Sequence, residues 1–313
     1  MKKVTLAAVA ALAFSATSAF AADMPVKAVK AAPPPPAWDI AFGAAIASDY
    51  VWRGITQSNH KPSVAAYFEP RYNINKDMQL YAGIGGASID FPNRAAAEID
   101  FYAGFRPTFG KFAFDLGFWY YYYPGGQDFN VGTPQGPLPN GNLAKEDWSF
   151  WEFYAKVNYS LTDAATLGAF VYYSPNVLNT GADGIYFGGN AKYVFPALAN
   201  GVQFYASGEA GYWDLGTSDP YYGTAAFPNG IPYKSYTTWN LGIGWTYKVF
   251  TVDLRYIDTD LNKGDCNAFT SDHTATGTTN VTTINPGGLG SNWCGARFVA
   301  RLSADLTVNT NLK

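Results

Sequence analysis

Few residues in this chain are suited to bond-making chemistry. Its histidines are His60 and His273, and its cysteines are Cys266 and Cys294. A serine nucleophile needs a histidine within hydrogen-bond reach and a third group to orient that histidine. Both histidines fall in stretches that read as surface loops, and no G-x-S-x-G elbow occurs. A rim-located hydrolase using His60 or His273 with Asp272 is an alternative that nothing else in the sequence supports. No catalytic residue is assigned, and the chain is not read as an enzyme. Two cysteines and two histidines without metal-ligand spacing argue against structural zinc. No metal or cofactor is expected.

The charged residues carry the stronger pattern. Asp49, Arg53, Glu69, Arg71, Glu98, Asp100, Arg106, Asp115, Glu152, Lys156, Lys192, Glu209, Asp253, Arg255, Arg297 and Arg301 stand at alternate positions in largely apolar segments. Acids and bases are balanced in this set. On one side of a membrane-spanning sheet they would line a lumen or its mouth. There they would either set a preference among passing ions and solutes or pair into a network that fills the interior.

The elements that position them repeat with period two. Ile99, Phe101, Ala103 and Phe105 alternate with Glu98, Asp100, Tyr102 and Arg106, and Trp151, Phe153, Ala155 and Val157 with Glu152, Tyr154 and Lys156. Alternation over ten or more residues is a strand signal, and the length suits a tilted strand crossing a bilayer. About twelve such segments can be counted, near 38–53, 63–74, 79–89, 97–109, 111–123, 148–159, 165–174, 184–195, 201–213, 236–247, 249–259 and 294–308. The third is the least regular, because Leu80 and Tyr81 compete for the outward face. Tight connections alternate with long ones, as periplasmic turns alternate with extracellular loops in outer-membrane barrels. The fold expected is all-β: a transmembrane antiparallel up-and-down barrel with both termini periplasmic.

Composition agrees. Charged residues make up 14% of the 313, aromatics 17% and hydrophobics 48%, while mean hydropathy is only -0.10. Many short amphipathic strands fit these figures better than apolar helices. A formal net charge of -3 gives no electrostatic case for nucleic acid. Residues 1–21 read as an export signal, with Lys2 and Lys3, a short apolar core and Ala19-Phe20-Ala21 as cleavage site. Residues 22–37, with Pro33-Pro34-Pro35-Pro36, read as an extended periplasmic linker, and 38–313 as the barrel. Export permits a disulfide between Cys266 and Cys294, which flank the last long loop. Its closure is worth about 3 kcal/mol. Loop 124–147 is long enough to fold inward or to stay outside.

The stretch Ser48-Asp49-Tyr50-Val51-Trp52-Arg53-Gly54-Ile55-Thr56-Gln57 resembles the opening S-D-Y-x-x-R-G-x-S-Q signature of the TorF family of porin-like proteobacterial outer-membrane proteins. Thr56 replaces the serine. Read as the end of the first strand, the stretch places Tyr50 and Trp52 outward as interfacial anchors and Asp49 and Arg53 at the mouth. The function expected is passive passage of ions or small solutes through an outer-membrane channel of a Gram-negative cell. The alternative is a structural or surface-interaction barrel with a plugged lumen. Expected partners are outer-membrane lipid, the barrel-assembly machinery and small solutes or ions, with room for a homo-oligomer.

Overall fold

The computed structural model describes residues 35–312. The export signal and most of the Pro-rich linker lie outside them. The barrel strands are β1 (Trp38–Ala47), β4 (Ser63–Asn75), β5 (Met78–Ala87), β6 (Glu98–Phe109), β7 (Phe112–Tyr122), β8 (Phe150–Ser160), β9 (Ala165–Ser174), β10 (Gly184–Val194), β11 (Gln203–Leu215), β12 (Tyr236–Tyr247), β13 (Phe250–Thr259) and β14 (Arg297–Thr307). Two further strands, β2 (Val51–Trp52) and β3 (Ile55–Thr56), form a small separate hairpin. Helix α1 (Lys263–Thr270) lies in the last long loop, and α2 (Val308–Asn311) follows β14.

Each barrel strand pairs antiparallel with its neighbour in sequence, and β1 pairs with both β4 and β14, so the sheet closes. At the seam Ala44 stands opposite Ala66 on one side and Ala304 on the other. Closure removes both sheet edges, as a strand-built membrane span requires. Among the described residues no helix is long and apolar enough to cross a membrane.

The period-two pattern resolves into two faces. Ile46, Phe68, Ile84, Phe101, Phe153, Leu241, Ile243 and Phe298 are exposed on the outside. So broad an apolar belt, stable only against hydrocarbon, is the lipid face of an outer-membrane barrel. On β5 it is Leu80 that faces out, 44% exposed, while Tyr81 turns in and is 5% exposed.

The inner face is filled by rings seated on glycines. Tyr102 lies over Gly83, Tyr81 over Gly104, Tyr154 over Gly117, Tyr186 over Gly211 and Tyr205 over Gly244. A side chain at those glycines would collide with the ring, so the strand pair is sequence-matched: glycine on one strand, tyrosine on another.

The tight connections and both described chain ends share one end of the barrel. Asn309 binds back to β1 there, its N–H donating to Asp39 Oδ1 at 3.0 Å and its Nδ2 to Trp38 O at 2.7 Å. At the other end the long loops pack into a cap. Phe91, Phe129, Leu138, Trp148, Tyr222, Phe269 and Trp293 are buried in it. Loop 124–147 joins this cap. Asn140 and Asn142 donate to Asp272 O at 2.8 and 2.9 Å. Helix α1 starts at Asn262, whose side chain accepts from Asp265 N at 2.8 Å. It carries Cys266, which is disulfide-bonded to Cys294.

Candidate functional site: a hairpin across the lumen

The first strand ends at Ala47 rather than near residue 53. Instead of rising to the rim, the following stretch turns into the barrel. Tyr50 and Trp52 are therefore not interfacial anchors: they are 5% and 7% exposed, inside the lumen. The reason lies in how the polar residues of the stretch bond to one another. Ser48 fastens it to β14, its N–H donating to Ala300 O at 2.9 Å and its Oγ accepting from Ala300 N at 3.0 Å. Asp49 accepts from Thr56 Oγ1 at 2.5 Å and from Ser58 Oγ at 2.9 Å. It also pairs with Arg297 at 3.4 Å and His60 at 3.3 Å. Gln57 N donates to Tyr50 O at 2.7 Å, and Gln57 Nε2 to Ile55 O at 3.0 Å. These bonds fold residues 48–58 into a closed loop with the β2–β3 hairpin at its tip. The hydroxyl of Thr56 thus helps to close the loop through its bond to Asp49.

Arg53 and Gly54 form the hairpin turn, with φ of 47° and 82°. Positive φ at both central residues matches the twist of a two-residue hairpin, and glycine tolerates it at the second. Gly54 is also pressed against the wall, where a Cβ would come within 2.5 Å of Thr238 Oγ1. Arginine with positive φ is uncommon and is held there by the contacts of its side chain.

Those contacts lie on the far wall. Arg53 Nη2 meets Glu152 Oε2 on β8 at 2.8 Å, and each side chain is 1% exposed. Its guanidinium carbon lies 4.3 Å from the Trp52 ring centre, 4.5 Å from Trp213 on β11, 4.5 Å from Tyr186 on β10 and 5.0 Å from Tyr172 on β9. In the ring order β9 stands halfway round from β1, so the hairpin spans the lumen. Tyr236 on β12 donates to Arg53 O at 2.9 Å. Burial alone would strip charge from Arg53, but the Glu152 carboxylate outweighs it and raises the guanidinium pKa above its ordinary value. Burial pushes the Tyr50 phenol up as well, and the carboxylates of Glu98 and Asp100 add to the effect. Tyr50 thus keeps its proton and donates a hydrogen bond to Glu98 Oε1 at 2.5 Å, while Tyr123 donates to Glu98 Oε2 at 2.8 Å.

Below the hairpin the other expected lumen residues meet in two clusters. In one, Glu69 accepts from Arg71 Nε at 2.6 Å and from Arg106 Nη1 at 2.8 Å. Arg106 also pairs with Asp115 at 3.4 Å. Tyr81 donates to Asp115 at 2.5 Å and is hydrogen-bonded to Tyr154. Trp119 Nε1 donates to Asp100 Oδ1 at 3.0 Å while its ring stacks on Tyr102. In the other, Arg255 Nε donates to Asp253 Oδ1 at 3.0 Å, and Tyr205 donates to Asp253 Oδ2 at 2.6 Å. Lys192 lies over the Tyr205 ring of this cluster at 4.3 Å, and Lys156 over the Tyr154 ring of the first at 4.5 Å. Glu209 accepts from Tyr186 at 3.2 Å. Arg301 stands opposite Asp253 in the β13–β14 register. Tyr67 and Asp305, bonded at 3.2 Å, belong to the same lining. Their inward phase was readable from the alternation, as were those of Trp213 and Tyr236.

Asp90 ties the cap to the base of the hairpin loop. It pairs with Lys61 at 2.5 Å and with His273 Nε2 at 3.6 Å, and accepts from Asn59 Nδ2 at 3.2 Å. Burial opposes its charge, but the bonds from Lys61 and Asn59 win and hold its carboxyl below the ordinary value. The two histidines do not meet each other. Each stands beside a different aspartate, His60 by Asp49 and His273 by Asp90. Among the described residues no group of His, Cys, Asp and Glu is arranged to hold a metal ion.

Fold and site together define an outer-membrane β-barrel with a hairpin folded into its lumen. The chain belongs to the family described as bacterial proteins of unknown function (Gcw_chp), which matches residues 31–285. Comparison with curated proteins finds no match. Solved structures of similar shape include a FadL homologue of Pseudomonas aeruginosa, 13% identical, covering 86% of this chain and 89% of that one at a TM-score of 0.40. The NanC porin is 9% identical over 85% of this chain and 98% of its own, with a TM-score of 0.39. OmpT, an outer-membrane protein of Vibrio cholerae in trimer form, is 11% identical over 86% and 98%, with a TM-score of 0.36.

Proposed function

We propose that this protein is an outer-membrane barrel whose lumen is closed at rest by its own hairpin. The observation that carries this reading is the Arg53–Glu152 pair, which ties the tip of the hairpin to the opposite wall with both side chains 1% exposed. A water-filled pore wets the charges that line it. Here Glu69, paired with Arg71 and Arg106, and Glu152, paired with Arg53, are 0% and 1% exposed. Dry charges held by partners fit a sealed interior, because an unpaired ion there would cost several kcal/mol.

A channel is the second reading. Lys192, Asp253, Arg255 and Arg301 are only half-buried, which suits a wetted vestibule at the short-turn end. In this reading solutes or ions pass once the hairpin withdraws. The resemblance of residues 48–57 to the TorF signature supports placing the chain among porin-like proteins. The short turns and both described ends then face the periplasm, with 1–21 as export signal and 22–37 as spacer.

Conductance of the folded protein in planar bilayers tests the closed reading. Wild type should give no current above leak. Steady ohmic current from wild type would overturn the reading and leave the open porin in its place.

A further inference from the structure

We propose that the chamber around Arg53 is a binding site for organic cations, occupied in this state by the chain's own guanidinium. The inference rests on reading the hairpin as the closing element, and it adds the chemistry of what that element displaces.

Three of the four rings around Arg53 come from the wall: Tyr172, Tyr186 and Trp213. The wall also supplies the Glu152 carboxylate. Only Trp52 arrives with the hairpin. Withdrawal of the hairpin leaves three aromatic faces and one carboxylate around the volume of a guanidinium. Ring faces carry the negative part of the aromatic quadrupole and attract cations, most strongly where water is excluded.

The hydrogen-bond pattern narrows the ligand class. A guanidinium has five N–H donors. Here Nη2 meets the carboxylate, while buried Nε and Nη1 have no hydrogen-bond partner. Most of this cation is therefore held by ring faces. A chamber that recognises charge in this way suits cations with few donors or none, such as quaternary ammonium and substituted guanidinium groups. An anion would face Glu152 and the electron-rich side of each ring. A neutral solute would leave the carboxylate unpaired. Behind the rings Glu209 accepts from the Tyr186 hydroxyl at 3.2 Å and holds that ring in place. A wall cation that shares one of these rings is Lys156, with Nζ 5.4 Å from the Tyr172 ring centre. It lies closer to the Tyr154 ring, at 4.5 Å, and in this state Arg53 rather than Lys156 sits among Tyr172, Tyr186 and Trp213.

The test empties the chamber while keeping the turn. Arg53 has φ of 47°, a conformation glycine adopts at little cost, so Arg53→Gly vacates the cage without straining the hairpin. Tetramethylammonium and ethylguanidinium chlorides are titrated into the folded variant at constant ionic strength. Tryptophan fluorescence and the unfolding midpoint are followed, because Trp52 and Trp213 line the chamber. The expected result is a saturable fluorescence change and a raised midpoint in the variant, with wild type unresponsive. Adding Glu152→Gln should weaken binding by about tenfold or more, as loss of a charged partner does. A response no larger than that to sodium chloride, or one that never saturates, overturns the proposal. If Arg53→Gly does not fold unaided, refolding yield becomes the readout. Either cation should restore it where sodium does not, and failure of both to do so also overturns the proposal. Conductance is not read in this experiment. A cage indifferent to these cations overturns the cage and leaves the closed-barrel reading standing, which wild-type conductance tests separately.

Discussion

A buried guanidinium must find a carboxylate, and Arg53 finds Glu152 only by crossing the lumen. Breaking such a pair from one side strands the other charge, at a cost of roughly 3–5 kcal/mol. Arg53→Ala and Glu152→Ala should each lower the unfolding midpoint sharply. The double variant should lose much less than the two losses combined, which a double-mutant cycle of thermal unfolding would measure. Gly117 makes a second residue-scale case. A Cβ there would come within 2.5 Å of Tyr154 Cζ. Gly117→Ala should therefore unseat that ring and its bond to Tyr81, costing about 1–3 kcal/mol, visible as a lower midpoint and altered near-ultraviolet dichroism. The lumen residues were legible because alternation alone assigns them a face. Tyr50 and Trp52 were not, because the alternation runs on through residue 52 while the backbone has already left the sheet. The bonds that turn it are those of Asp49 to Thr56 and Ser58, and residue order does not display them.

At the scale of elements, strands and tight turns were readable and the cap was not. Strand limits follow from the apolar period and the Asn, Gly and Lys residues that end it. The cap depends on loops meeting from distant parts of the chain, as Asn142 of one loop meets Asn267 of another at 2.8 Å. Helix α1 is too short for a period to show. The disulfide holds α1 against the start of β14, so Cys266→Ser should destabilise the cap by about 3 kcal/mol. Limited proteolysis of folded protein should then cut within 124–147, while wild type should stay uncut there. Asp90 gives the cap a pH dependence. Its folded-state pKa lies below the ordinary 3.8, so its contribution is present above that value and is lost as pH falls through the lower, folded one. Protease sensitivity of the cap should rise below about pH 4, and Asp90→Asn should reduce that rise. A wild-type cap equally resistant at pH 3 and pH 6 would contradict the assignment.

The molecule as a whole is a closed sheet with a lipid-facing exterior and an interior that is charged, aromatic and largely dry. Closure makes it resistant to partial unfolding, since no edge strand can fray without opening the seam between β1 and β14. Unheated protein should migrate faster than boiled protein in detergent gels, and identical migration would argue against the barrel. The same closed shape explains why the hairpin matters: among the described residues the sheet is continuous, so passage would have to run through the lumen that residues 51–56 cross. On the closed reading this hairpin shuts that passage. Conductance of wild type and of a chain lacking residues 51–56, both folded and compared in the same bilayers, tests it most directly. A silent wild type beside a conducting deletion is the predicted result. Equal current from both, or none from either, would contradict it.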